Sequence, residues 1–357
     1  MKEELSSEER WKALLKGDPV DRVPVMPLVL GQSALVCGYE NLGDFYSKPE
    51  VHVKCQLRAK EMFGYGQPLI AFPTSYKHAA VWGSEIEHPY REAMGSIAVH
   101  EPVVETAEEL EELEIPDPRE GKYMEEFFDM VEMVIEKGEV KPFVYLTTGI
   151  TATAPVIVGT EKFMMWLRKE PSLCEVALDK ATEFVQLVTE ELVNEFGADS
   201  FIPWTSFPND ANILISPDTF GELILPRVQE HHEFLLDLGL PMIYTHWCSD
   251  HNGNIEAGHI DKIPMGDPGI IHFGPEVDVA KVVERFGDKS VILGNVSPPS
   301  IQKKSFKEVM KLCKENIKKG IEADKGYLLG CGCELPPFAP PINTYAMIKA
   351  AREYGQY

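Results

Sequence analysis

Short runs of apolar, β-branched and aromatic residues alternate along this chain with longer stretches in which apolar positions recur at helical spacing. Eight runs read as strands, at residues 23–30, 68–72, 143–147, 200–204, 242–246, 270–273, 291–294 and 327–329. The stretches between them that read as helices include 51–63, 171–196, 217–238, 277–286, 306–323 and 341–354. Ser216 before Pro217 supplies an N-cap and a residue preset for the first helical turn, and Ser6 with Glu9 has the spacing of a capping box that opens an N-terminal helix at about residues 6–17. This alternation predicts an α/β fold, a (β/α)8 TIM barrel formed as a single domain over residues 1–357, with an open doubly wound sheet as the alternative. Pro24 and Pro27 make the first strand irregular, since proline has no N–H to give to a ladder. One segment, at about residues 84–118, departs from the alternation. Its period-2 pieces Glu85-Ile86-Glu87-His88 and Ser96-Ile97-Ala98-Val99 flank a glycine-containing turn, which predicts a hairpin insertion after the second strand, followed by an acidic helix.

Composition narrows the function classes. With 357 residues, 44% of them hydrophobic, the chain can bury one large core. A net charge of −23 argues against a nucleic-acid partner, whose phosphates call for clustered lysine and arginine. The acidic runs at 105–114 and 125–136 read as solvated helix faces. The seven cysteines, at positions 37, 55, 174, 248, 313, 331 and 333, are odd in number and widely spread, so a disulfide framework is not expected. No apolar run reaches membrane-spanning length and the first residues are charged, so the expectation is a cytoplasmic protein that neither crosses nor binds a membrane; a homodimer is left open.

Two clusters of soft ligands bring in chemistry. His246-Trp247-Cys248 follows the apolar run 240–244, and Cys331-Gly332-Cys333 follows the strand at 327–329. Both sit at strand ends, where parallel α/β folds place reactive groups. Zinc takes imidazole and thiolate ligands, and a catalytic zinc keeps three protein ligands and one open position. Residues two apart on a strand share a face, so His246 and Cys248 can converge while Trp247 points elsewhere, and a third ligand would come from Cys331 or Cys333. The competing reading is ordinary packing by core cysteines and a satisfied histidine. Phe72, Trp82, Tyr145, Trp204, Phe207, Trp247 and Phe338 gather at predicted strand ends and would suit a flat aromatic substrate, with Asn209 and Asp210 as polar orienters; barrel-mouth packing is the alternative for each ring. The adjacent His231 and His232 do not share a helix face, His251 and His259 flank the metal motif and read as solvated loop residues with support of the metal ligands as the alternative, and Gly64-Tyr65-Gly66 reads as a turn.

A longer series of motifs carries a family resemblance. Arg22-Val23-Pro24-Val25, Gly149 to Pro155 with Gly159-Thr160-Glu161, Gly197-Ala198-Asp199, His246-Trp247-Cys248, Leu293-Gly294-Asn295-Val296-Ser297-Pro298, and Cys333-Glu334-Leu335-Pro336-Pro337 with Pro340 and Asn343 occur in an order that resembles the uroporphyrinogen decarboxylase superfamily over nearly the whole chain. Within it, the His-x-Cys with a late Cys resembles the cobamide-dependent methyltransferases, among them the methylcobamide:coenzyme M enzymes. The resemblance implies a zinc ion on His246, Cys248 and, by its position before Pro336-Pro337, Cys333, with Cys331 as a rival; the fourth ligand is left open, with Glu334 or water as candidates. It also implies a cobamide carried by a separate corrinoid protein, since no Asp-x-His-x-x-Gly motif is present. The loop Leu28-Val29-Leu30-Gly31-Gln32-Ser33-Ala34 lacks the arginines with which true decarboxylases grip their substrate's carboxylates. No lysine or arginine adjoins the metal motifs to meet a sulfonate, so the sequence favours O-demethylation of a methoxylated aromatic compound with Co(I) as methyl acceptor. A methylcobamide:thiol methyltransferase, a decarboxylase acting on a tetrapyrrole and a noncatalytic metal-binding or docking barrel are the alternatives.

Overall fold

The computed structural model describes residues 4–72, 75–138, 142–146 and 149–357. Each of the eight apolar runs overlaps a parallel strand: β1 (Val25–Met26), β2 (Ile70–Ala71), β3 (Phe143–Leu146), β4 (Phe201–Phe207), β5 (Tyr244–Trp247), β6 (Gly269–Phe273), β7 (Ser290–Val296) and β8 (Tyr327–Cys331). They form one curled sheet in the order β1-β8-β7-β6-β5-β4-β3-β2. Among the described residues no pairing joins β1 to β2, so the sheet is an open, barrel-like curl rather than the closed ring expected. The two strands at this seam are the shortest, and β1 is held to the two residues between Pro24 and Pro27. Outside the sheet, Ile86–Glu87 pairs antiparallel with Ala98–Val99. Thr147, which ended the third predicted strand, lies outside the described residues.

Alternation along the strands sorts side chains into two cores. Met26, Ile70, Val144, Ile202, Trp204, Tyr244, Ile270, Val291, Leu293 and Leu328 pack together inside the curl. Val25, Ala71, Phe201, Phe207, Ile243, Trp247, Ile271, Ile292, Leu329 and Cys331 face outward into a larger core beneath the helices. The N-terminal helix Ser7–Lys16 has the expected capping box, in which Ser6 and Glu9 satisfy each other's backbone N–H. It sends Trp11, Leu14 and Leu15 into the inner core from the N-terminal end of the strands, so the opposite end is left for chemistry. The helix predicted at 217–238 is not uniform: Pro217–Thr219, a π-helical turn Phe220–Ile224, and Leu225–Asp237 follow one another. Pro226 lacks the N–H that a regular ladder needs there, and the π turn takes up the shift. No helix among the described residues is long and apolar enough to cross a membrane.

Candidate metal centre

Tyr244, His246 and Cys248 follow one another at period 2 along and just beyond β5, so all three lie on its inner side, whereas Thr245 and Trp247 face the helices. β5 pairs with β6 in a register that sets His246 against His272. The third element is the end of β8. The strand stops at Cys331 and the chain bends through Gly332, so Cys331 and Cys333 do not share a face as an extended segment would have them. Cys331 stays in the outer core with Sγ directed at the Glu334 carbonyl, 3.9 Å away. Cys333 turns inward, and its Sγ, the Cys248 Sγ and a ring nitrogen of His246 lie within 4.8 Å of one another.

These donors fit a soft dication. His246 is buried, yet among the described residues neither ring nitrogen makes a hydrogen bond of normal geometry. A bound metal would remove that cost. The two sulfurs act on each other: the neighbouring Cys333 holds the Cys248 thiol below its usual range, while Cys248, with burial adding to the effect, holds the Cys333 thiol above its own. The Ser249 backbone N–H favours the Cys248 thiolate, and the carboxylates of Glu276 and Asp210 oppose it. Two sulfurs this close would repel one another as thiolates, and a dication between them and the imidazole would remove that repulsion.

The surrounding shell fixes the donors. His272, which the sequence reading did not single out, lies against the His246 ring with centroids 4.4 Å apart and planes 32° apart. Its Nε2–H donates to the Cys331 carbonyl at 2.9 Å, and its Nδ1 accepts from the Tyr244 hydroxyl at 2.8 Å. One imidazole thus ties β5, β6 and β8 together beside the donors, and burial keeps it neutral. The available signal was a polar residue at an inward position of a buried strand, in step with Ile270. His251, for which the sequence favours a solvated loop position over support of the metal ligands, is fully buried and takes the second role. Its Nε2–H donates to the Cys248 carbonyl at 3.1 Å while Asn254 donates to its Nδ1 at 3.2 Å, so it anchors the turn that follows β5. His259 is half-buried and packs near Phe220, with ring centroids 5.9 Å apart. That turn is tight: Ser249 has φ 69°, and Gly274 lies so close that a Cβ there would stand 2.9 Å from the Ser249 nitrogen.

The pocket residues expected from the sequence divide between the two cores. Trp204 stacks on Tyr244 at 5.0 Å and meets the His246 ring edge-on at 6.0 Å, so it walls the metal site. Phe72 is in the inner core, where its ring is 6.0 Å from Tyr46. Asn209 donates to the Thr151 carbonyl, and Asp210 is wholly buried beside it in the loop after β4. Trp247 lies on the other side of the sheet, stacked on Phe207 at 3.9 Å with Nε1–H donated to Thr245, and Trp82 packs against Phe184 in the outer core; neither reaches the donors. Phe338 is 43% exposed. The side chain of Tyr145 lies outside the described residues. Glu334, offered as a fourth ligand, accepts instead from the Gly31 N–H at 3.1 Å, and burial pushes its carboxyl up to about 7.

Comparisons with known proteins agree with this architecture. The family model for uroporphyrinogen decarboxylase (URO-D) matches residues 6–354. Two curated relatives, both named methylcobamide:CoM methyltransferase MtaA, come from Methanosarcina barkeri and from its strain Fusaro. Each is 25% identical to this chain, with 98% of this chain and 99% of the relative covered. A solved structure of a methyltransferase from Methanosarcina mazei has a TM-score of 0.80 at 23% identity, covering 98% of this chain and 99% of that one.

Proposed function

The chain belongs to the uroporphyrinogen decarboxylase family, in its branch of corrinoid-dependent methyltransferases, and on that premise we propose that it moves a methyl group from the cobalt of a separate corrinoid protein to a small thiol, at a zinc ion held by His246, Cys248 and Cys333. The observation that carries the reading is the convergence of one imidazole and two sulfurs within 4.8 Å at the C-terminal end of the sheet. Such a donor set leaves a position open, and zinc bound there supplies a Lewis acid that favours the deprotonated, nucleophilic form of a thiol.

The chain's own residues do the rest. His272 and His251 hold the His246 ring and the Cys248 backbone, so these two donors keep a fixed direction. Trp204 and Tyr244 line the approach with apolar surface and exclude water from the reacting sulfur. The two curated relatives, which act on coenzyme M by name, support the thiol acceptor over the methoxyarene donor that the sequence favoured. Decarboxylation of a polycarboxylate finds no support: the loop at 28–34 is buried, and Gln32 is engaged with the Ala339 carbonyl and the Thr344 hydroxyl.

The test compares zinc-loaded protein in two assays, transfer from methylcobalamin to coenzyme M, and transfer from a panel of methoxyarenes to cob(I)alamin. Thiol methylation that depends on stoichiometric zinc is the expected result. Activity confined to the methoxyarenes would overturn the thiol reading and restore O-demethylation.

A further inference from the structure

Asp210 is a buried carboxyl that the metal chemistry above does not use. It follows β4 in the loop at 208–216, is wholly buried, and among the described residues neither carboxylate oxygen has a hydrogen-bond partner of normal geometry. The nearest hydroxyl is Thr151, at the start of the helix Ile150–Val158; it draws the carboxyl's pKa down a little, but no hydrogen bond of normal geometry forms, and Thr151 Oγ1 is itself buried without a partner. Two such polar groups side by side, near enough for the carboxyl's charge to act on the Cys248 thiol, call for a ligand or a proton.

The groups facing Asp210 are few. From the segment following β5, the Cys248 thiol senses its charge. Asp250, whose carbonyl accepts from the Asn212 N–H in the Asp210 loop, directs its own carboxylate at Asn252. The helix Ile150–Val158 brings only the uncharged Thr151, and the Asp210 loop itself contributes Asn209 and Asn212. Among the described residues no lysine or arginine faces the carboxylate, and in the metal-free chain burial raises its pKa to about 7.

We propose that Asp210 accepts the proton that an acceptor thiol loses on entering the metal centre, and holds it while the thiolate is bound. The inference rests on the thiol-acceptor reading. In the first step the S–H bond breaks, its electron pair stays on sulfur and the proton goes to an Asp210 oxygen. In the second, sulfur attacks the methyl carbon, the S–CH3 bond forms, and the Co–CH3 bond breaks with its pair left on cobalt as Co(I). Departure of the neutral thioether then lets the proton pass to solvent. Sulfur arrives with one negative charge as the carboxylate loses one, so the charge of a site already holding two thiolates does not rise.

The experiment counts protons. Zinc-loaded wild type and Asp210→Asn are titrated with coenzyme M as the probe thiol in a calorimeter at about pH 8, in buffers of different ionisation enthalpy; wild type should release close to no protons and the variant about one per site. Zinc content should be equal in the two proteins, and Asp210→Glu should restore the wild-type proton count. Release of about one proton by wild type overturns the assignment even if the variant does not fold, and equal release by both proteins, or loss of zinc from Asp210→Asn, overturns it too. Absence of any thiol binding to zinc-loaded wild type overturns the thiol reading itself, an outcome distinct from binding with an unexpected proton count.

Discussion

At the scale of single residues, the two late cysteines separate by the direction of their sulfurs. Cys333 joins the donors, whereas Cys331 is packed outward among apolar side chains. Cys333→Ser should therefore abolish stoichiometric zinc. Cys331→Ser should retain it and lose about 1–3 kcal/mol of stability, from a hydroxyl buried in the outer core. Elemental analysis beside denaturant unfolding reads both; zinc lost equally from the two variants would reverse the assignment. His272 makes a sharper case, because it is not a donor. It abuts the His246 ring and ties Tyr244 to the Cys331 carbonyl. His272→Phe keeps the bulk and loses both hydrogen bonds, and zinc affinity should fall about 10–100-fold in competition with a chromophoric chelator. Unchanged affinity would leave His272 as packing alone.

At the scale of elements, the strand-end turns decide where the donors go. The turn Cys248-Ser249 folds onto Gly274, where a Cβ would collide with the Ser249 nitrogen and the Glu276 carboxylate. Gly274→Ala should weaken zinc binding at least about tenfold without unfolding the chain, since the added methyl displaces the turn that presents Cys248. Chelator competition with a circular-dichroism control checks it. This turn also marks how far the sequence could be read. The alternation His246-Trp247-Cys248 correctly implied that Trp247 faces away from the pair, because period 2 is a local property. Which late cysteine turns inward depends on where β8 ends and on Gly332 packing within 2.8 Å of Pro275, as measured from a Cβ placed there, and those are tertiary facts. His251 looked like a solvated loop residue because its partners, the Cys248 carbonyl and Asn254, come from the folded turn. The N-terminal helix, by contrast, was legible from Ser6 and Glu9 alone. Its anchor is the contact between buried Arg10 and Asp21, at 2.6 and 2.9 Å, which holds the Asp21 carboxyl well below the usual carboxylate range. A depressed folded pKa stabilises above the unfolded value and loses that contribution as pH falls, so Asp21→Asn should destabilise by about 3 kcal/mol near neutrality and by less below about pH 4. Urea unfolding at the two pH values tests the sign; an equal effect at both would assign the loss to packing.

At the scale of the whole molecule, the eight apolar runs and their order were enough to anticipate a parallel curl, since strands buried on both faces read as short apolar blocks. The seam between β1 and β2 was not legible as a break, because the prolines that shorten β1 look the same in a sequence whether or not its neighbour pairs. The metal donors belong to this scale as well. His246 and Cys248 extend from β5 and Cys333 from the end of β8, with β6 and β7 between them in the sheet. A zinc ion across these donors would clamp four consecutive strands at the end opposite the N-terminal helix, and a ligand bound only by the folded state adds its binding free energy to stability. At free zinc about 1,000-fold above its Kd the gain is ~4 kcal/mol, which for a chain of this length is a rise of about 5 °C in the unfolding midpoint. Calorimetric scans of zinc-loaded and chelator-stripped protein should differ by that amount in wild type and by almost nothing in Cys333→Ser. The segments 248–250 and 331–334 should exchange their amide hydrogens faster once stripped, ahead of the buried strands. Equal midpoints for loaded and stripped wild type would mean that the donors do not clamp the sheet, and the convergence of His246, Cys248 and Cys333 would then need an explanation other than a resident metal.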